Sequence, residues 1–92
     1  MTLRLRLYVA DDAPNSLTAI ANLRAALAQR PAGPVELEII DVVDDPARGL
    51  RDGILVTPML VRLAPVPERR ILGNLRDRAL LLEVLGAPDG TA

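Results

Sequence analysis

Leucine and arginine alternate at the start of the chain. In residues 3–9, LRLRLYV, Leu3, Leu5, Leu7 and Val9 fall on one side, and Arg4, Arg6 and Tyr8 on the other. Successive strand residues point to opposite faces, so a period of two predicts a strand with one face in a core. DDAPNS then reads as a turn. After it Ile20, Leu23 and Leu27 recur at spacings of three and four, with Leu17 alongside, which is the helical period. Asn15 or Ser16 is expected to cap this helix through its side-chain oxygen. The helix should stop near Arg30, because Pro31 disfavours helical geometry in the residue before it.

Alternation returns in VELEIIDVV, 35–43, where Val35, Leu37 and Ile39 are separated by Glu36 and Glu38, predicting a second strand. DDPARGLRDG follows, with Asp45 as a cap, Pro46 at the first helical position and Gly53 as a stop, so a short helix fits. Residues 59–63 and 69–72 read as two further strands joined by APVPE. NLRDRALLLEVLG, 74–86, is predicted as a helix with Asn74 as its cap and Gly86 at its end. The expected order is β-α-β-α-β-β-α, an α/β domain with a mixed four-stranded sheet. Its first two strands run parallel by a right-handed crossover and its last two form a hairpin.

That order is similar to a thioredoxin-like domain. ILVTPMLVRL, 54–63, contains a proline where a buried strand would need an N–H, so Pro58 belongs at the strand's first residue, at an edge or at a bulge. Thioredoxin-like domains characteristically carry a cis proline just before the third strand. The resemblance therefore implies a cis Thr57-Pro58 bond, which an X–Pro amide adopts at a cost of only ~0.5–1 kcal/mol.

Ninety-two residues bound this to one domain over 1–92, with 87–92 expected to be a flexible tail. The net charge of −1 gives no global attraction to nucleic acid or an anionic membrane. No apolar run approaches the ~20 residues of a membrane-spanning helix, and the Leu-Arg start lacks the uninterrupted apolar core of a signal peptide. A soluble, cytoplasmic protein is expected. With no cysteine and no histidine, the chain has no thiol nucleophile, imidazole base or usual zinc ligand set. The loop after the first strand, where thioredoxin-like enzymes place their redox pair, reads ADDAPNS and cannot exchange disulfides.

Asp11 and Asp12 in VADD, with Asp41, Asp44 and Asp45, superficially match the magnesium-binding acids of a response-regulator receiver. Receivers are longer and use a lysine, whereas all eleven basic residues here are arginine, and aspartates in a turn before a helix need no metal to explain them. Ser16, Thr18 and Thr57 have no base to activate them. Neither an enzyme nor a cofactor or metal site is expected. Arg62, Arg69 and Arg70, with Arg6 on the first strand, form either a solvated face or a fork-like surface for a partner's carboxylates. With no aromatics beside them, base stacking has no platform.

Four stretches in register carry a more specific resemblance: LYVA…PNS, the IDV…P pair, ILVTP, and P-x-P-x-RRI-x-G-x-L. Over about Leu5 to Arg78 the chain resembles the KaiB family of the cyanobacterial circadian clock. The resemblance implies a non-enzymatic regulator that binds the hexameric ATPase KaiC. It also implies a metamorphic chain with two folds, a tetrameric ground state and a monomeric thioredoxin-like form that docks on the KaiC ring. Two such folds lie a few kcal/mol apart. Pro58, Pro65 and Pro67 are the candidates for a slow isomerising step, and Pro14, Asn15, Arg62, Arg69 and Arg70 the candidate docking residues.

The thioredoxin-like form needs a helix over 75–85, where the ground state would be largely strand. LRDRALLLEVL favours helix, with Val84 aligned where family members commonly carry a weakening glycine. The thioredoxin-like form is therefore expected to dominate. Glu38 stands where clock members are expected to carry a basic or neutral residue. Because the second strand helps the family capture a second clock protein, KaiA, this charge argues against KaiA binding. The family's acidic tail is also missing, which suggests a divergent paralogue outside the core oscillator. The alternatives are the sensor domain of a SasA-like histidine kinase, which docks on the same ring, and a redox-inactive thioredoxin-fold module with an unrelated partner.

Overall fold

A computed structural model of the chain describes residues 2–30 and 33–86, so the expected tail over 87–92 lies outside the described residues, as does Pro31. The elements follow in the expected order. They are β1 (Leu3–Val9), α1 (Pro14–Ala28), β2 (Val35–Asp41), α2 (Pro46–Arg51), β3 (Met59–Ala64), β4 (Arg69–Leu72) and α3 (Arg78–Val84). The strands make one mixed sheet in the order β2-β1-β3-β4. β1 and β2 are parallel, with Leu3 opposite Val35 and Val9 opposite Asp41, as a connection through a helix permits. β3 runs antiparallel to both β1 and β4. This is a thioredoxin-like fold, and the Thr57-Pro58 bond that leads into β3 is cis.

Alternation in β1 divides the interior in two. Leu3, Leu5, Leu7 and Val9 meet Ala19, Leu23 and Ala26 of α1, Leu60 and Ile71 of β3 and β4, and Leu81 and Val84 of α3. On the other face Tyr8 packs with Ile40, Ile54 and Val61 near α2. The sheet is therefore covered on both sides, by a helix of 15 residues and α3 on one and by a helix of 6 residues on the other. The inner stripe of α1 is Ser16, Ala19, Leu23 and Ala26, with Ile20 and Leu27 half-buried beside it, while Leu17 faces outward.

Helix ends depart from expectation in two places. Ala13 holds the cap position of α1 and, with no side-chain acceptor, makes no cap bond, while Pro14 opens the first turn where its missing N–H costs nothing. Ser16 is buried instead, and its Oγ accepts from the Ala10 N–H at 3.0 Å. In α3 the cap is Asp77, which accepts from the Leu80 N–H, not Asn74. Asn74 accepts from the Arg76 N–H within a turn, and Leu75 there adopts a φ of 63° while burying its side chain in the core. Burial of that leucine outweighs the local cost of a left-handed residue. Asp45 caps α2 as expected, ahead of Pro46, and Gly53 takes a φ of 72° just past the helix end. Gly49 lets α2 approach the sheet, since a Cβ there would come within 3.1 Å of Val42.

Candidate partner-binding surface

The arginines grouped by the sequence are separated by the strand pleat. Arg62 is only 8% exposed. Its guanidinium turns inward, donating to the Val84 carbonyl at 2.9 Å and the Pro67 carbonyl at 2.8 Å, with Nε unpartnered. The expectation that Arg62 lies on a docking face is therefore corrected. It ties β3 to the C-terminal end of α3, where unpaired helix carbonyls favour a cation. Arg69 and Arg70 are neighbours on β4 and point to opposite faces. Arg69 approaches Glu83 of α3 at 3.8 Å. Arg70 donates to Glu68 and to the Asp52 carbonyl beneath α2. Pro14 and Asn15 are exposed at the start of α1, at the end of the sheet away from Arg69. The five residues thus do not converge on one patch. Ala64-Pro65 and Val66-Pro67 are cis, like Thr57-Pro58.

A charged network missed by the sequence reading joins β1, β2 and α2. Asp52 Oδ2 accepts from the Tyr8 hydroxyl at 2.7 Å and from Arg48 Nε at 3.2 Å, and Oδ1 accepts from Arg51. Arg48 also grips both oxygens of Glu38, at 2.8 and 3.1 Å, in the fork geometry that suits a guanidinium. The Tyr8 bond and the nearby arginines hold the Asp52 carboxyl below the usual aspartate range, and Arg48 does the same for Glu38. Burial and the Asp52 bond push the Tyr8 phenol up. A groove of about 430 Å³ lies beside the network, lined by Arg4, Arg6, Glu36, Glu38 and Leu63. Arg4 and Glu36 pair across it at 3.0 Å, and Arg6 and Glu38 at 3.5 Å, so its charges are already matched.

The third feature is the end of the sheet where β1 and β2 finish and β3 begins. Asp41 Oδ1 accepts from the Asp11 N–H at 3.0 Å and from the Val43 N–H at 2.9 Å, locking the loop after β1 to the loop after β2. Those backbone donors hold the Asp41 carboxyl below the usual range. Across this end Val43 is 60% exposed, Leu55 89%, Val56 53% and Leu72 58%. The exposure of Leu55 and Val56 was hidden in the sequence because ILV before Thr57 reads as the approach to a buried strand. Among the described residues no group of three or more His, Cys, Asp or Glu is placed to hold a metal ion, and no helix is long and apolar enough to cross a membrane.

Known proteins resemble the chain at both levels. A family model described as the KaiB domain matches residues 6–87. The circadian clock oscillator protein KaiB of Prochlorococcus marinus (strain MIT 9303) is 44% identical over 78 residues, covering 85% of this chain and 66% of that protein, so the chain spans just under two thirds of that relative. KaiB of Gloeothece citriformis (strain PCC 7424) is 42% identical over 78 residues, covering 85% and 74%. Among solved structures, the N-terminal domain of Synechococcus elongatus SasA superposes with a TM-score of 0.75 at 29% identity, covering 100% of this chain and 90% of that one. Mitochondrial thioredoxin 3 from Saccharomyces cerevisiae, at 14% identity and a TM-score of 0.73 over 91% and 76% of the two chains, shares the fold.

Proposed function

The chain belongs to the KaiB family, and on that premise we propose that it is a non-enzymatic, cytoplasmic regulator that binds a KaiC-type hexameric ATPase. The observation that supports this best is the helical Arg78–Val84 segment. It puts the chain in the thioredoxin-like arrangement that the family resemblance associates with ring docking. The loop after β1 carries no sulfur, so the fold serves recognition and not thiol chemistry. β2 is an edge strand, and the carboxylate of Glu38 there, held by Arg48, counts against KaiA as a partner. Pro14, Asn15, Arg69 and Arg70 are the exposed or half-exposed candidates for docking.

Size-exclusion chromatography with a KaiC hexamer from the same organism and ATP tests the proposal. Co-elution is expected, with the free protein running as a monomer. Absence of co-elution at micromolar concentrations would detach the fold from a ring-binding role and favour an unrelated partner. Replacing Arg69 and Arg70 with Glu should weaken the complex and leave the helix content unchanged. The second, tetrameric fold would make residues 78–84 extended, so NMR secondary shifts in that segment report whether it is populated. A sensor domain of a SasA-like kinase is the second reading, favoured by the superposition on the SasA domain, and the full gene decides between them.

A further inference from the structure

Charge is distributed unevenly around the exposed end of the sheet. Three segments meet there: 10–18 after β1, 41–47 from the last residue of β2, and 54–58 leading into β3. Tyr8 pairs with Met59, so the loop before Pro58 lies beside the loop after β1, and Asp41 ties that loop to Val43. Together these segments carry Asp11, Asp12, Asp41, Asp44 and Asp45 and no arginine, in a chain whose net charge is only −1. The same segments carry Val43, Leu55 and Val56, whose aliphatic side chains are exposed. Adjacent strands are ~4.8 Å apart, so the strip from the top of β2 to the top of β3 is about 10 Å wide, the footprint of one helix or loop.

We propose that this strand-end surface is a protein-docking site, and that its partner presents an aliphatic side chain flanked by lysine or arginine. The acidic flank selects the partner's charge, and the aliphatic strip supplies the buried centre that carries most binding energy. Asp41 keeps the site in shape before the partner arrives, which lowers the ordering cost of binding. Its two backbone bonds keep it charged, and Asp12 and Asp44 nearby in the same loops are exposed. The proposal rests on the reading of the chain as a partner-binding regulator and specifies the surface that reading uses.

The test measures binding of the full chain to the immobilised KaiC-type ring, comparing wild type with Leu55→Ser and with the double variant Asp12→Lys, Asp44→Lys. None of these side chains holds another part of the fold, and circular dichroism confirms that each variant folds. Leu55→Ser should weaken binding about tenfold or more. The double variant should weaken it by a similar factor and flatten its dependence on salt. Variants that bind within about twofold of wild type, while the Glu pair at Arg69 and Arg70 loses binding, would overturn the surface and leave the ring proposal standing.

If wild type itself fails to bind the ring, the ring proposal falls, and a second probe decides the surface. Isotope-labelled protein is titrated with a helical peptide bearing a leucine stripe flanked by lysines, and with the same peptide carrying glutamates. Shifts centred on Val43, Leu55 and Val56 with the lysine peptide alone support the site. No shift there, or equal shifts with both peptides, overturns it.

Discussion

The two faces of the sheet are built on different physics. Beneath α1 and α3 lies a leucine core in which Leu7, Leu23 and Leu60 are wholly buried. Beneath α2 a smaller apolar cluster around Tyr8 gives way to a network of Arg6, Glu38, Arg48 and Asp52. The difference follows from coverage. Helices of 15 and 7 residues together shield one sheet face, whereas a single helix of 6 residues leaves a margin in contact with water on the other. At that margin charges keep part of their solvation, and directional bonds, not volume, fix where the helix sits. The lesson is that one face should answer to the loss of atoms and the other to the loss of charge.

The largest test of that contrast is Leu23→Ala on the leucine face. It should cost about 2–5 kcal/mol in urea unfolding, since removing buried methylenes leaves a cavity as well as lost transfer energy. A loss below about 1 kcal/mol would show that α1 settles into the space and that the face is less rigidly packed. Next comes Arg62→Met, the exception on that face, where a charge closes the core. Losing the guanidinium orphans the Val84 and Pro67 carbonyls and should cost about 2–3 kcal/mol. Hydrogen exchange should quicken in α3 more than in β1. Uniform quickening would assign Arg62 a packing role only.

Asp52→Asn sharpens the contrast through pH. The folded state lowers the Asp52 pKa, so its stabilising contribution is fully present above the unfolded value of about 4 and is lost as pH falls through the folded value. Melting temperature in the wild type should therefore drop below about pH 4, and the Asn variant should start lower at neutral pH and fall less steeply. Parallel curves for the two proteins would remove Asp52 from the centre of the network. The smallest effect is expected at the sheet end. Leu55→Ser should change stability by no more than about 0.5 kcal/mol, because that leucine is solvated in the free protein. A larger loss would mean that the exposed strip packs on something within the fold.

Much of this was legible in the chain because the signals are local. Period-two alternation placed β1 and β2, and the Asp45-Pro46 pair placed α2. Four stretches in register carried the KaiB resemblance, and ILVTP pointed to the cis proline before β3. The arginines were misjudged because a strand's neighbours in sequence face opposite ways in space. Arg69 and Arg70 look like one patch in the sequence and occupy two faces in the fold. Asn74 looked like a cap, but burying Leu75 delayed the start of α3 to the bond between Asp77 and Leu80.

The sequence alone determined the element order, the apolar face of the first strand and the absence of thiol and imidazole chemistry. These depend on side-chain type and on spacings shorter than one element. Only the tertiary structure decided that Arg62 faces inward, that Asp52 gathers Tyr8 and the arginines of α2, and that Val43, Leu55 and Val56 stand uncovered. Each of these depends on contacts between residues far apart in the chain, where sheet order and helix length set which groups lose water and which keep it.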